Sequence, residues 1–111
     1  MTRGEGDVEI QPARGEDATA IAECVTAAYE IYTERLGNPA RPTLDDYTKV
    51  IQQHRVFVLC ETEKIIGILV RIIQNQSFFV DNVAEHPDQR GRGYGRKLMA
   101  LAKEEARRFG V

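Results

Sequence analysis

Val80-Asp81-Asn82-Val83-Ala84-Glu85-His86-Pro87-Asp88-Gln89-Arg90-Gly91-Arg92-Gly93-Tyr94-Gly95-Arg96-Lys97-Leu98-Met99-Ala100-Leu101-Ala102 passes from an apolar strand, through a loop with glycine at every second position, into a helical pattern. Gly91, Gly93 and Gly95 let the backbone turn tightly with no Cβ in the way. Amide N–H groups can then converge on one point at the positive end of the following helix. Arg90, Arg92, Arg96 and Lys97 bring positive charge to the same place. The combination suits a pyrophosphate; the alternative is a glycine-rich turn whose arginines are merely solvated.

Working outward, the chain alternates helical and strand periods. Val8-Glu9-Ile10-Gln11-Pro12 alternates as a short strand that Pro12 ends. Ala18, Ile21, Ala22, Val25, Ala28, Tyr29 and Tyr32 recur at helical spacing, with Glu16 and Asp17 ahead of them. This helix runs to about Arg35 and stops at Gly37. After the connector Asn38-Pro39-Ala40-Arg41-Pro42, Thr43-Leu44-Asp45-Asp46 matches a capping box. A shorter helix with Leu44, Tyr47, Val50 and Ile51 on its apolar face follows, to about His54. The period then switches to three strands, Arg55–Cys60, Ile65–Ile73 and Ser77–Ala84, joined by short links as an antiparallel meander. The last helix is expected from about Gly93 to Phe109, with Leu98, Met99, Leu101, Ala102 and Ala106 on its apolar side. The fold class is therefore α/β.

Composition narrows the function classes. The 111 residues carry a formal net charge of -2, so the chain as a whole is no polyanion binder. That charge, and the lack of an aromatic stacking platform near the loop, argue against nucleic acid as a partner. No apolar run approaches the roughly 18 residues of a membrane helix, and the first residues lack a signal-peptide core. No membrane partner and a cytoplasmic location are expected. Cys24 and Cys60 lack metal-ligand spacing and read as small hydrophobes, so no metal is expected.

Two phosphate-binding motifs fail on spacing. A Walker loop needs Gly-Lys-[Ser/Thr], whereas Lys97 follows Arg96 and precedes Leu98. The dinucleotide fingerprint fails because the third glycine comes one residue early. The pattern [Arg/Gln]-x-x-Gly-x-[Gly/Ala] does fit, as Arg90-Gly91-Arg92-Gly93-Tyr94-Gly95. With the strand before it, the helix after it and the order β-α-α-β-β-β-loop-α, the chain from Val8 onward resembles the GNAT N-acetyltransferases.

The resemblance implies acetyl-CoA as co-substrate, its pyrophosphate gripped by the loop Arg90, Gly91, Arg92, Gly93, Tyr94, Gly95 and Arg96. It also implies that the pantetheine arm pairs like a strand with Val83, Ala84 and Glu85. Glu85 departs from the apolar residue usual in the family and puts a carboxylate near the cofactor. The acceptor implied is an amine of a small molecule or a protein.

A lysine-like amine, with a pKa of about 10.4, must lose a proton before it can attack a thioester. Asp81, a carboxylate inside an apolar strand, is the candidate general base; its other reading is a structural hydrogen-bonding role. His86 reads as a turn residue and His54 as a helix-end residue. Tyr29, Tyr32 and Tyr47 read as core, or as borders of an acceptor pocket. The family's usual acid is a Tyr beyond this helix; none follows Tyr94, so no acid is assigned. A catalytically silent acyl-CoA-binding or regulatory module is the competing reading.

The family fold would continue with a strand, a helix and a closing hairpin. Residues 1–6 are expected to be disordered and 7–111 to be a single incomplete domain. The chain is expected to be a fragment or truncated product, or to be completed by a homodimer or by strand pairing with another chain. Without that, the Phe78–Ala84 strand would have a bare edge.

Overall fold

A computed structural model describes residues 8–37, 45–89 and 92–110 of the chain. Strand β1 (Val8–Pro12) leads through a 3-10 turn into α1 (Ala18–Leu36). Helix α2 (Tyr47–Gln53) precedes the meander β2 (Arg55–Glu61), β3 (Lys64–Gln74) and β4 (Ser77–Glu85), and α3 (Tyr94–Phe109) follows. The strands form one antiparallel sheet in the order β1-β2-β3-β4. This is the expected α/β order and the N-terminal portion of the GNAT fold.

Both faces of the sheet are covered, which explains why β2 and β3 read as near-continuous apolar runs rather than alternating ones. On one face, Ile21 and Val25 of α1 and Tyr47 of α2 pack against Val56, Val58, Ile68 and Val70. On the other, Tyr94, Leu98 and Ala102 of α3 pack against Phe57, Leu59, Ile66 and Leu69. Burying a side chain such as Leu98, which is fully enclosed, contributes about 2 kcal/mol.

The two hairpins turn on the pairs Thr62-Glu63 and Asn75-Gln76, all four with φ between 50° and 66°. Positive φ at both central residues is the turn geometry whose twist matches that of the flanking strands. At the other end of the chain, Gly110 (φ 99°) caps α3, its N–H donating to the carbonyls of Ala106 and Arg107.

One expectation needs correction and another falls partly out of view. Thr43 and Leu44 of the expected capping box lie outside the described residues; within them, Asp46 is the N-cap of α2. Its Oδ1 accepts from the Thr48 N–H at 3.1 Å, so the helix begins at Tyr47. Met99 is not on the packed face of α3 but 42% exposed. The buried stripe is Tyr94, Leu98 and Ala102, at intervals of four, and Met99 lies one residue, about 100°, round the helix from it.

Candidate functional site

The turn into α3 has the features expected of an anion site. Gly93 is the N-cap, in the left-handed conformation (φ 82°), and a Cβ there would meet nothing within 4 Å. It offers no side chain to satisfy the amides of the first turn, which stay available to a ligand at the positive end of the helix. Arg92 and Arg96 are exposed beside it. Arg90 and Gly91, also expected in this loop, lie outside the described residues.

Tyr94 contributes differently from its neighbours. Its ring is fully buried in the α3-side core, and its hydroxyl donates to Glu61 Oε2 at 3.3 Å. Arg92 Nη1 lies 3.8 Å from the same oxygen. Glu61, at the end of β2, thus ties both residues of the loop to the sheet, and only the backbone of Tyr94 is left to a ligand. Nothing in the spacing marked Glu61 in advance, because its partners are more than thirty residues away.

Strand β4 carries the remaining candidates. Asn82 faces Val70 while Val80 faces Arg71, so Asp81 is the extra residue of a β-bulge. The bulge reverses the alternation along the strand. Phe78, before it, lies against Phe109 of α3 with the two rings tilted by 39°, whereas Ala84, after it, packs with α1 and α2. Asn82 is carried to that α1 side and is 3% exposed. There its Oδ1 accepts from the Tyr29 hydroxyl, and its Nδ2 donates to the Tyr47 hydroxyl, both at 3.1 Å. Asn82 therefore fastens both early helices to the strand beside Asp81. The tyrosines, read as core or pocket border, serve as its partners; Tyr32 lies in α1, outside the described side chains.

Beyond the bulge, Val83 packs with the α3-side core and Glu85 comes close to the start of α3. A Cβ built on Gly95 would stand 3.8 Å from each carboxyl atom of Glu85. Glu85 Oε2 is buried and has no hydrogen-bond partner among the described residues. The loop and the end of β4 are thus adjacent. A diphosphate fits the glycine turn and its arginines, with one carboxylate opposing it.

Other candidates fall elsewhere. His54 is the C-cap of α2, its backbone N–H donating to Val50 O. His86 Nδ1 accepts from the Asp88 N–H at 3.2 Å, as befits a turn residue. A cavity of about 660 Å³ lies on the α1 side and is lined by Cys24, Cys60 and His86 with several carboxylates. Both cysteines are free thiols. Burial, aided by the Glu85 charge, pushes the Cys24 thiol up to about 11, against opposing effects of a backbone hydrogen bond at His86 and of Lys64. Burial also raises Cys60. Among the described residues, no group of three or more His, Cys, Asp or Glu is placed to hold a metal ion. No described helix is long and apolar enough to cross a membrane.

Solved structures share this fold. An IAA acetyltransferase from Bacillus cereus is 21% identical with a TM-score of 0.64, the match covering 93% of this chain and 60% of that one. A PaiA N-acetyltransferase from Thermoplasma acidophilum, in complex with coenzyme A, is 12% identical with a TM-score of 0.75 over 94% of this chain and 74% of that one. The ribosomal-protein-S18-alanine N-acetyltransferase from Escherichia coli is 19% identical with a TM-score of 0.72 over 94% and 62%. The chain thus spans about 60% of the length of the Bacillus cereus protein. A search of curated proteins finds no match. The sequence model of the acetyltransferase (GNAT) family matches residues 25–111, most of the chain and the whole of the loop and β4. The chain belongs to the acetyltransferase (GNAT) family.

Proposed function

We propose that this chain binds acetyl-CoA and serves direct transfer of its acetyl group to a primary amine, of a small molecule or of a protein, within a ternary complex. The C–S bond breaks as the C–N bond forms, and CoA leaves as the thiol. The observation that carries this reading is the adjacency of the glycine turn at the head of α3 to the bulged end of β4. When bound, acetyl-CoA supplies an acetyl group activated as a thioester. The amides from Gly91 to Arg96 hold its diphosphate, with charge from Arg90, Arg92 and Arg96. The backbone of Val83, Ala84 and Glu85 aligns the pantetheine arm. Asp81, at the bulge, takes the proton that the acceptor ammonium must lose. Membership of the family and coenzyme A in related structures support the co-substrate.

The silent acyl-CoA-binding reading is favoured by one observation: Tyr94 is committed to the core and to Glu61, so it offers no acid to a leaving thiolate. Free-thiol release from acetyl-CoA over a panel of amines separates the two. An active chain releases thiol with at least one amine, and Asp81→Asn slows this while sparing CoA binding. Binding without thiol release for any amine selects the silent module. The edge of β4, where Phe79 and Val80 are exposed, is proposed to pair with a further strand. A monodisperse monomer of this chain in solution would contradict that.

A further inference from the structure

At the far end of α3 from the glycine turn, about 22 Å along the helix, its last turns meet β2 and β3 around a cavity of about 470 Å³. Arg55, Phe57, Arg71, Glu105, Arg108 and Phe109 contribute to its walls. A smaller cavity of about 250 Å³ adjoins it, sharing Arg55 and Arg71 and adding His54. Three guanidiniums and a single carboxylate line the larger cavity, an excess of positive charge in a chain whose net charge is -2.

The arginines are held by contacts that leave donors uncommitted. Arg71 gives both Nε and Nη2 to the same oxygen of Glu105, at 3.2 and 3.0 Å, while its guanidinium lies 6.0 Å from the centre of the Phe78 ring. Its Nη1 has no partner among the described residues. Arg55 lies 5.8 Å from the centre of the Phe57 ring, with no carboxylate partner among the described residues. Arg108 reaches the other Glu105 oxygen only at 3.7 Å and is largely exposed. A structural role as a cation near the C-terminus of α3 accounts for Arg108, but not for Arg55 or for the depth of Arg71. Planar guanidiniums braced on aromatic rings are suited to forked recognition of a carboxylate. Phe57, Ile73 and Phe109 supply apolar wall beside them.

We infer that this cavity is a second ligand site, separate from the glycine turn, for a small organic carboxylate with a flat apolar body. The carboxylate lies between Arg55 and Arg108 with Arg71 behind it, and the body rests against the phenylalanines. A phosphate shares the anionic head but has nothing to place on the apolar wall.

Titration of the isotopically labelled chain with benzoate, inorganic phosphate and benzyl alcohol, followed by amide chemical shifts, tests this. Benzoate should give saturable shifts centred on Arg55, Ile73 and Phe109, unchanged by prior saturation with CoA. Arg55→Ala should weaken it about tenfold, the scale of one charged hydrogen-bonding partner. Arg108→Gln, also at an exposed position, should weaken it in the same direction. Phosphate and benzyl alcohol should each bind more weakly than benzoate. Absence of saturable shifts, equal binding by parent and Arg55→Ala, or displacement by CoA would overturn the site. Phosphate or benzyl alcohol binding as well as benzoate would overturn the ligand class.

Discussion

Glu85→Gln should tighten CoA binding. The carboxylate of Glu85 lies 3.8 Å from where a Cβ on Gly95 would stand, against the first turn of α3. A diphosphate oxygen accepting from the Gly95 amide would come within about 7 Å of it. Two unit charges at that separation repel by about 0.6 kcal/mol in a water-like medium and about 2.4 kcal/mol at an effective dielectric of 20. A site open on one side falls between, so about 1.5 kcal/mol, or roughly tenfold in Kd, is expected. In the free protein two effects oppose one another. The positive end of α3 favours the carboxylate by about 0.3–1 kcal/mol, while a buried oxygen without a hydrogen bond costs about 1–3 kcal/mol. Gln keeps a polar atom at the same buried place and loses only the charge, so folding stability should move by about 1 kcal/mol or less. Isothermal titration with CoA at low salt reads the gain directly, and high salt should shrink it by screening. Pantetheine, which lacks the diphosphate, should bind parent and variant alike. A Gln variant that binds CoA no tighter than the parent at low salt, or that gains equally for pantetheine, would refute the reasoning.

Three further substitutions probe the scaffold. Asn82→Leu removes both hydrogen bonds that tie Tyr29 and Tyr47 to β4. It should cost about 2 kcal/mol and lower Tm by about 10 °C, read by thermal melting. Gly67→Ala places a Cβ 3.1 Å from Leu98 Cδ1 and 3.3 Å from the Ala84 carbonyl oxygen. Pushing α3 off β3 in this way should cost about 1–2 kcal/mol in urea denaturation. Cys24 predicts a pH effect with a definite sign. Because its thiol is raised to about 11 in the folded chain, its contribution is fully present below pH 9 and is lost as pH rises from 9 through 11. The urea midpoint should fall over that window, by up to about 2 kcal/mol in stability, and Cys24→Ala should flatten the fall.

Much of this was legible because local signals coincided with the elements. The apolar runs at Val56–Cys60 and Ile65–Ile73, and the turn pairs between them, located the meander to within a residue or two. The glycine at residue 93 marked the turn into α3, and the helical spacing of Leu98 and Ala102 set the face of that helix. What the sequence could not show depends on register. Only the pairing of β4 with β3 reveals the bulge at Asp81, and only the bulge sends Asn82 toward Tyr29 and Tyr47 rather than toward α3. The anchoring of Tyr94 and Arg92 on Glu61 joins residues about thirty apart. Periodicity likewise overextended the apolar face of α3 to Met99, since hydrophobicity alone does not say how wide a face is covered.

Calorimetric titration of acetyl-CoA into the parent chain and into Arg92→Glu tests the central claim most directly. Saturable one-to-one binding by the parent at sub-millimolar concentration, clearly weakened in Arg92→Glu, is the predicted result. A parent chain that shows no binding in that range, or a charge-reversed loop that binds as well as the parent, would contradict it.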